Sequence, residues 1–165
     1  MAIYKMHDAT LCYLIKDNSV LLGLKKRGFA KSILNGYGGK VHDGEIIETA
    51  AVRELKEECS VAANLQELEK VAIIEFYFTN PEVKDKWSKR VHVYLVREWR
   101  GEPVETEEME PRWYRFGEIP YDKLWSDDKM WLPQVLQGKK LRALFRFGDD
   151  NNTVVEHKIT TVDSL

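Results

Sequence analysis

Apolar and polar positions divide the chain into strand-like runs, two helical stretches and short breaks. An apolar run from Ala9 to Ile15 reads as a strand, Asp17-Asn18 marks a turn, and Val20 to Lys25 returns as the hairpin partner. Residues Lys26 to Asn35 read as a loop with a basic start. A helical pattern then covers Ile47 to Cys59, and strands follow near Lys70–Thr79 and Arg90–Trp99. Asn80-Pro81 ends the first of these strands, and the charged segment Glu82–Lys89 reads as an exposed hairpin tip carrying Trp87. Arg112–Phe116 is a further strand. Asp127 is placed to cap a helix running to about Gln137, with Gly138 as its stop. Strands near Leu141–Phe147 and Thr153–Thr160 flank the turn Gly148–Asn152. Mixed strands with two main helices predict an α/β sandwich, and no repeat, linker or low-complexity stretch divides residues 1–165 into more than one domain.

The helix Ile47–Cys59 carries the candidate chemistry. Val52, Leu55 and Cys59 fall at i, i+3 and i+7 and form an apolar stripe for a core. Glu54, Glu57 and Glu58 fall at i, i+3 and i+4 on the opposite side, so three carboxylates share a face. Like charges at this spacing repel. Carboxylates in such a cluster suit a hard divalent cation. Arg53 can reach back to Glu45 just before the helix, where a two-point fork would fix how the loop meets the helix. The run Asn35-Gly-Tyr-Gly-Gly39-Lys40 ahead of it allows the backbone to approach a phosphate or metal closely. Taken alone, the acidic face is equally read as a solvated helix surface.

From Gly39 to Val61 the sequence resembles the Nudix box: a Gly, five residues, a Glu, seven residues, then Arg-Glu-apolar-x-Glu-Glu-x-Gly-apolar. Gly39, Glu45, Arg53, Glu54, Leu55, Glu57, Glu58 and Val61 match; Ser60 departs, standing where the pattern has Gly. Glycine just past a helix takes a left-handed cap, which costs Ser about 1 kcal/mol. The resemblance implies an α/β/α sandwich with a mixed sheet and hydrolysis of a nucleoside triphosphate to a monophosphate and pyrophosphate. It also implies dependence on Mg²⁺, or Mn²⁺ in its place. Glu57 and Glu58 would be principal ligands together with the Gly39 carbonyl. Glu54 would be a ligand or the group that orients or deprotonates water, and Glu108 a further acid near the metal. Lys25 would meet phosphate, while Glu45 and Arg53 would be a structural pair.

Matches outside the box extend over nearly the whole chain. Leu21–Phe29, Asn35–Val41, Glu108–Trp113 and Trp125–Pro133 are similar to the MutT-type members that act on oxidised purine nucleotides. That likeness places the base between Asn35 and the adjacent acids Asp127 and Asp128, with Trp125 beside them. Phe29, Phe76 and Trp131 would be aromatic walls and Thr10 a polar strand residue. The chemistry is sound on its own terms. An amide both donates and accepts, and of two neighbouring carboxylates one can hold a proton at neutral pH. Aromatic faces stack on flat bases. Structural readings stand beside these: Asp127-Asp128 as a helix cap, and Trp125, Trp131, Phe29 and Phe76 as packing. Leu34 stands where those members have Trp. The segment Glu82–Lys89 is longer than theirs, and Trp87, Lys86, Lys89 and Arg90 are candidates to cover the site.

Composition narrows the partners. A net charge of −2 over 165 residues argues against a nucleic-acid coat, so a small nucleotide is expected and no direct binding of DNA or RNA duplexes. No signal peptide or membrane-spanning run is evident, and Cys12 and Cys59 show neither a CxxC nor a disulfide pattern, which fits a cytoplasmic monomer. Two other readings remain at this point: a hydrolase of unmodified or other nucleoside triphosphates, and a nucleotide-binding module without catalysis.

Overall fold

The computed structural model describes residues 4, 6–28 and 30–165. Strand β1 (His7–Lys16) turns at Asp17-Asn18 into β2 (Ser19–Lys25), and a two-residue β3 (Leu34–Asn35) lies against β2. Helix α1 (Ile47–Cys59) follows, then β4 (Leu68–Phe78), the short helix α2 (Lys84–Trp87), β5 (Lys89–Val96) and β6 (Met109–Arg115). Helix α3 (Asp128–Leu136) and strands β7 (Lys140–Phe147) and β8 (Val154–Val162) complete the chain. The strands form one mixed sheet in the order β3-β2-β1-β5-β4-β7-β8, with β6 antiparallel on β2. The β1–β5 and β4–β7 pairs are parallel.

Layering follows from alternation along the strands. On β1, Cys12 and Leu14 point to one side, where they meet Ala51, Leu55 and Cys59 of α1 together with Tyr94 and Val96 of β5. Tyr13 and Ile15 point to the other side, into a larger core with Trp131, Leu132 and Val135 of α3 and with Phe145 and Phe147 of β7. Helices thus cover both faces of the sheet, the α/β/α arrangement. Strand β5 lies between β1 and β4, and its residues Val91 to Val96 are all buried. Strand β8 is an edge, kept soluble by Glu156, His157 and Lys158.

Three details differ from the reading of the sequence. The buried stripe of α1 runs through Ala51, Leu55 and Cys59, while Val52 is only half-buried, because i, i+4 and i+8 drift around the helix to follow the sheet. The segment 82–89 is not a bare hairpin tip. It folds into α2, Trp87 packs edge-on against Phe78 with ring centroids 5.5 Å apart, and Lys89 already belongs to β5. Asp127 has helical backbone angles and makes no capping hydrogen bond through its side chain. No helix among the described residues is long and apolar enough to cross a membrane.

Candidate active site

The glycine-rich segment runs along the free edge of β1. The Cys12 amide donates to the Tyr37 carbonyl at 2.6 Å, the Thr10 amide to the Gly39 carbonyl at 2.8 Å, and the Val41 amide to the Asp8 carbonyl at 3.0 Å. This close approach demands glycine: a Cβ on Gly38 would lie 1.8 Å from the Thr10 carbonyl oxygen. At Gly39 a Cβ would lie 2.5 Å from Glu54 Oε1, so the carboxylate face of α1 rests directly on this backbone.

Each acid of that face is engaged. Arg53 forks onto Glu45, Nε to Oε2 at 2.8 Å and Nη2 to Oε1 at 3.0 Å. Its Nη1 donates to Glu54 Oε1 at 3.0 Å and to the exposed Glu57 Oε2 at 3.2 Å. The fork and the His42 amide hold the Glu45 carboxyl down at about 2. Glu58 accepts from the Gly38 amide at 2.9 Å. Burial, and then the charge of Glu54, push its carboxyl up to about 8, against the opposing pull of Gly38 and Lys25. Glu108, on the loop before β6, accepts from Arg27 Nη2 at 2.7 Å, and that guanidinium keeps its carboxyl below the usual range.

In this arrangement no group of three or more His, Cys, Asp or Glu side chains among the described residues is set to hold a metal. The donor chemistry nevertheless fits a hard cation. Glu58 is half-buried beside Glu54 with Lys25 as its cationic neighbour, so ionising it is costly and a divalent ion would offset that cost. The Gly39 carbonyl accepts from the Thr10 amide at 2.8 Å and, at a long 3.5 Å, from the Thr10 hydroxyl, the weaker of the two contacts and the one a cation would replace.

On the other side of the Gly38–Lys40 segment opens a cavity of about 440 Å³, within the size range of small-molecule sites. Thr10, Lys25, Asn35, Phe76, Trp125, Asp127, Asp128 and Trp131 all line it, as do Gly38 and Gly39. Phe29 falls outside the described residues. The Asn35 side-chain oxygen accepts from the Gly36 amide at 2.9 Å. Asp127 and Asp128 are both buried. Asp127 accepts from Trp131 Nε1 at 2.8 Å, and Asp128 accepts from the Trp125 amide at 3.0 Å. Burial pushes the Asp127 carboxyl up to about 6 and Asp128 well above its ordinary value, with the charge of Asp127 adding to the latter. Both carboxyls are thus harder to ionise than free ones, Asp128 the more so, and the two titrate as a pair.

Glu54, Glu57, Glu58 and Glu108 do not line the cavity; they lie beyond the glycine segment, which the two regions share. Lys86, Trp87 and Lys89 do line it, whereas Arg90 turns away to meet Glu75 at 3.4 Å. Sequence reasoning missed Phe78 and Phe147 as lining residues. The signal was there for Phe78, which lies two residues beyond Phe76 and so on the same face of β4. Phe147 stands opposite Phe78 only through the parallel pairing of β4 with β7.

The NUDIX domain model matches residues 5–135. The chain belongs to the Nudix family. It is 40% identical over 157 residues to the oxidized purine nucleoside triphosphate hydrolase of Danio rerio, covering 94% of this chain and 96% of that protein. It is 42% identical to the Mus musculus protein of the same name, with the same coverage. Among solved structures, a mutator MutT protein from Bacillus halodurans superposes with a TM-score of 0.79 at 22% identity, over 93% of this chain and 97% of that one. The MutT Nudix hydrolase from Burkholderia pseudomallei gives 0.65 at 24% identity, over 78% and 97%. These two likenesses establish the fold. Hydrolases of the Nudix family generally need divalent metal ions.

Proposed function

We propose that this Nudix protein hydrolyses oxidised purine nucleoside triphosphates, such as 8-oxo-dGTP and 2-hydroxy-dATP, to the monophosphate and pyrophosphate, using Mg²⁺. The observation that carries the reading is the shared Gly38–Gly39 segment. It walls a cavity lined by aromatic rings, Asn35 and an acid pair on one side, and supports the carboxylates of α1 on the other. A base seated in the cavity would extend its phosphates over this backbone toward the acids. The names of the relatives, which align over nearly their whole length, support the same substrate class.

Glu57, Glu58, Glu54 and the Gly39 carbonyl are the residues that would hold the cation, with Glu108 from the facing loop. When bound there, such an ion would screen phosphoryl charge and acidify water. Arg53 holds Glu45 and spans Glu54 and Glu57, and so sets the angle between the loop and α1. Lys25, on the cavity wall near Glu58, meets the phosphates as a point charge. Glu54, resting on Gly39, orients the attacking water and takes its proton as the bond between the α- and β-phosphoryl groups breaks. In the cavity Asn35 and the pair Asp127 and Asp128, which can share one proton, read the base edge, and Phe76, Trp125 and Trp131 confine its plane. Residues 1–165 act as one domain and as a cytoplasmic monomer in this reading.

The test is a comparison of 8-oxo-dGTP with dGTP at equal concentration, with and without Mg²⁺, detecting monophosphate and pyrophosphate. Faster, metal-dependent release from the oxidised nucleotide is the expected result. Equal rates would favour a general triphosphatase, and binding without product would favour a module that only binds nucleotides.

A further inference from the structure

Lys89 sits on a largely apolar face of the sheet. It opens β5, with its Cα opposite Phe76 of β4 and His7 of β1. Alternation puts it on the same face as Val91, Val93 and Leu95, the face that packs toward α3. Its neighbour Arg90 points the other way and pairs with Glu75. An ammonium on such a face is costly unless it is paired. The Lys89 ammonium nevertheless makes neither a hydrogen bond nor a close ion pair among the described residues, although its backbone is paired in β5. It lines the same cavity as Asn35, Asp127 and Asp128. Burial lowers its ionisation, and the charge of Asp127 opposes that pull.

The groups on this wall form a pattern. A carboxylate such as Asp127 offers only acceptors, even with one oxygen engaged by Trp131. An ammonium offers only donors. A 6-oxo-2-amino purine presents, in order along one edge, the 2-amino donor, the N1–H donor and the 6-oxo acceptor. Its two donors suit the carboxylate and its oxo group suits the ammonium. A 6-amino purine reverses the last two positions. It would set an N–H against Lys89 and a ring lone pair against Asp127, both of them desolvated, and unpaired buried groups of this kind discriminate strongly.

We propose that Lys89 is a specificity-determining residue of the cavity, donating to the 6-oxo group of a bound purine and, with Asp127, favouring 6-oxo over 6-amino purine nucleotides. This rests on the purine reading above and orders its substrates, with 8-oxo-dGTP, a 6-oxo purine, bound ahead of 2-hydroxy-dATP, a 6-amino purine.

The test measures binding of nucleoside monophosphates by calorimetry without metal, so that it does not depend on turnover. The ligands are 8-oxo-dIMP and 8-oxo-dAMP, which differ at the 6 position and its ring neighbour N1. Wild-type protein is expected to bind the 6-oxo ligand on the order of tenfold more tightly, as for a hydrogen bond to a charged group. Lys89→Met is expected to bring the two affinities within about threefold of each other, mainly by weakening the 6-oxo ligand. Lys89→Gln, whose amide both donates and accepts, narrows the gap in the same direction and serves if the methionine variant folds poorly. A ratio unchanged in both variants, a wild-type preference for the 6-amino ligand, or no binding of either overturns the proposal. Turnover of 8-oxo-dGTP by the wild type is scored separately. Binding preference without turnover refutes the hydrolase and keeps the role of Lys89; turnover with an unchanged ratio refutes Lys89 alone.

Discussion

The Glu58 carboxylate accepts the amide proton of Gly38 at 2.9 Å, joining α1 to the glycine segment across twenty residues of chain. One bond thus connects the acidic helix to the wall of the cavity. The bond opposes, without cancelling, the desolvation and the charge of Glu54 that push the half-buried Glu58 up to about 8. Glu58→Gln should keep the fold and lower turnover by at least about a hundredfold, since the amide cannot replace a charged ligand. Retained turnover would remove Glu58 from the machinery. The pH dependence has a definite sign. A carboxyl raised in the folded state loses stability as pH climbs from its unfolded value, near 4.5, to its folded value, near 8. Metal-free wild type should therefore melt at lower temperature at pH 8 than at pH 6, and Glu58→Gln should flatten that slope.

Arg53 serves three carboxylates at once, and its fork on Glu45 fixes the approach to α1. Lysine supplies the charge without the fork. Arg53→Lys should lower kcat on the order of tenfold or more, as for partners that orient ligands, with KM little changed. Because Glu45 is depressed to about 2, the contribution of the pair to stability is present above about pH 4.5 and fades as pH falls toward 2. Acid titration of the melting temperature, wild type against Arg53→Lys, checks this: the two curves should converge at the acid end.

Asn35 lines the base cavity and stands one residue from Gly36, whose amide it binds. Asn35→Ala should raise KM for 8-oxo-dGTP about tenfold, the scale of a lost hydrogen bond in a desolvated site, while leaving slow turnover of dTTP within about twofold. An equal loss on both nucleotides would take Asn35 out of base recognition.

Ser60 ends α1 in the left-handed conformation, φ 64° and ψ 21°, with its amide donating to the Lys56 carbonyl. Glycine adopts these angles without the Cβ contact that strains serine. Ser60→Gly should raise stability by roughly 1 kcal/mol in urea unfolding and leave kcat/KM unchanged. A lower melting temperature would mean that the serine side chain contributes more than its backbone strain costs.

Much of the site's local order can be read in the chain itself. Helix α1 spans Ile47–Cys59 in both the sequence pattern and the structure, and the 3.6-residue repeat puts Glu54, Glu57 and Glu58 on one side in either case. The demand for glycine before that helix is equally local in sequence, although its cause, the Thr10 carbonyl 1.8 Å from a Cβ at Gly38, belongs to the fold. Ala51 replaced Val52 in the core because the sheet, and not the helix alone, selects which arc of α1 is covered. The segment Glu82–Lys89 is the exposed β4–β5 connection its composition suggests, but its helix and packing were not legible, for a related reason. Its charges look solvated until α2 folds Trp87 onto Phe78 and the β1–β5–β4 pairing turns Lys89 toward the cavity.

What the sequence determined alone is therefore the content of each segment: the acidic helix, its glycine-rich approach, and the strands that carry the aromatic residues. Periodicity and backbone freedom depend on near neighbours, so they survive without the fold. Tertiary structure decided what meets what. It set Glu58 on Gly38 and Lys89 on the cavity wall with the acid pair, contacts across tens of residues that depend on strand order and register. It also raised the pKa of Glu58 and of Asp128, because desolvation is a property of the packed surroundings and not of the residue.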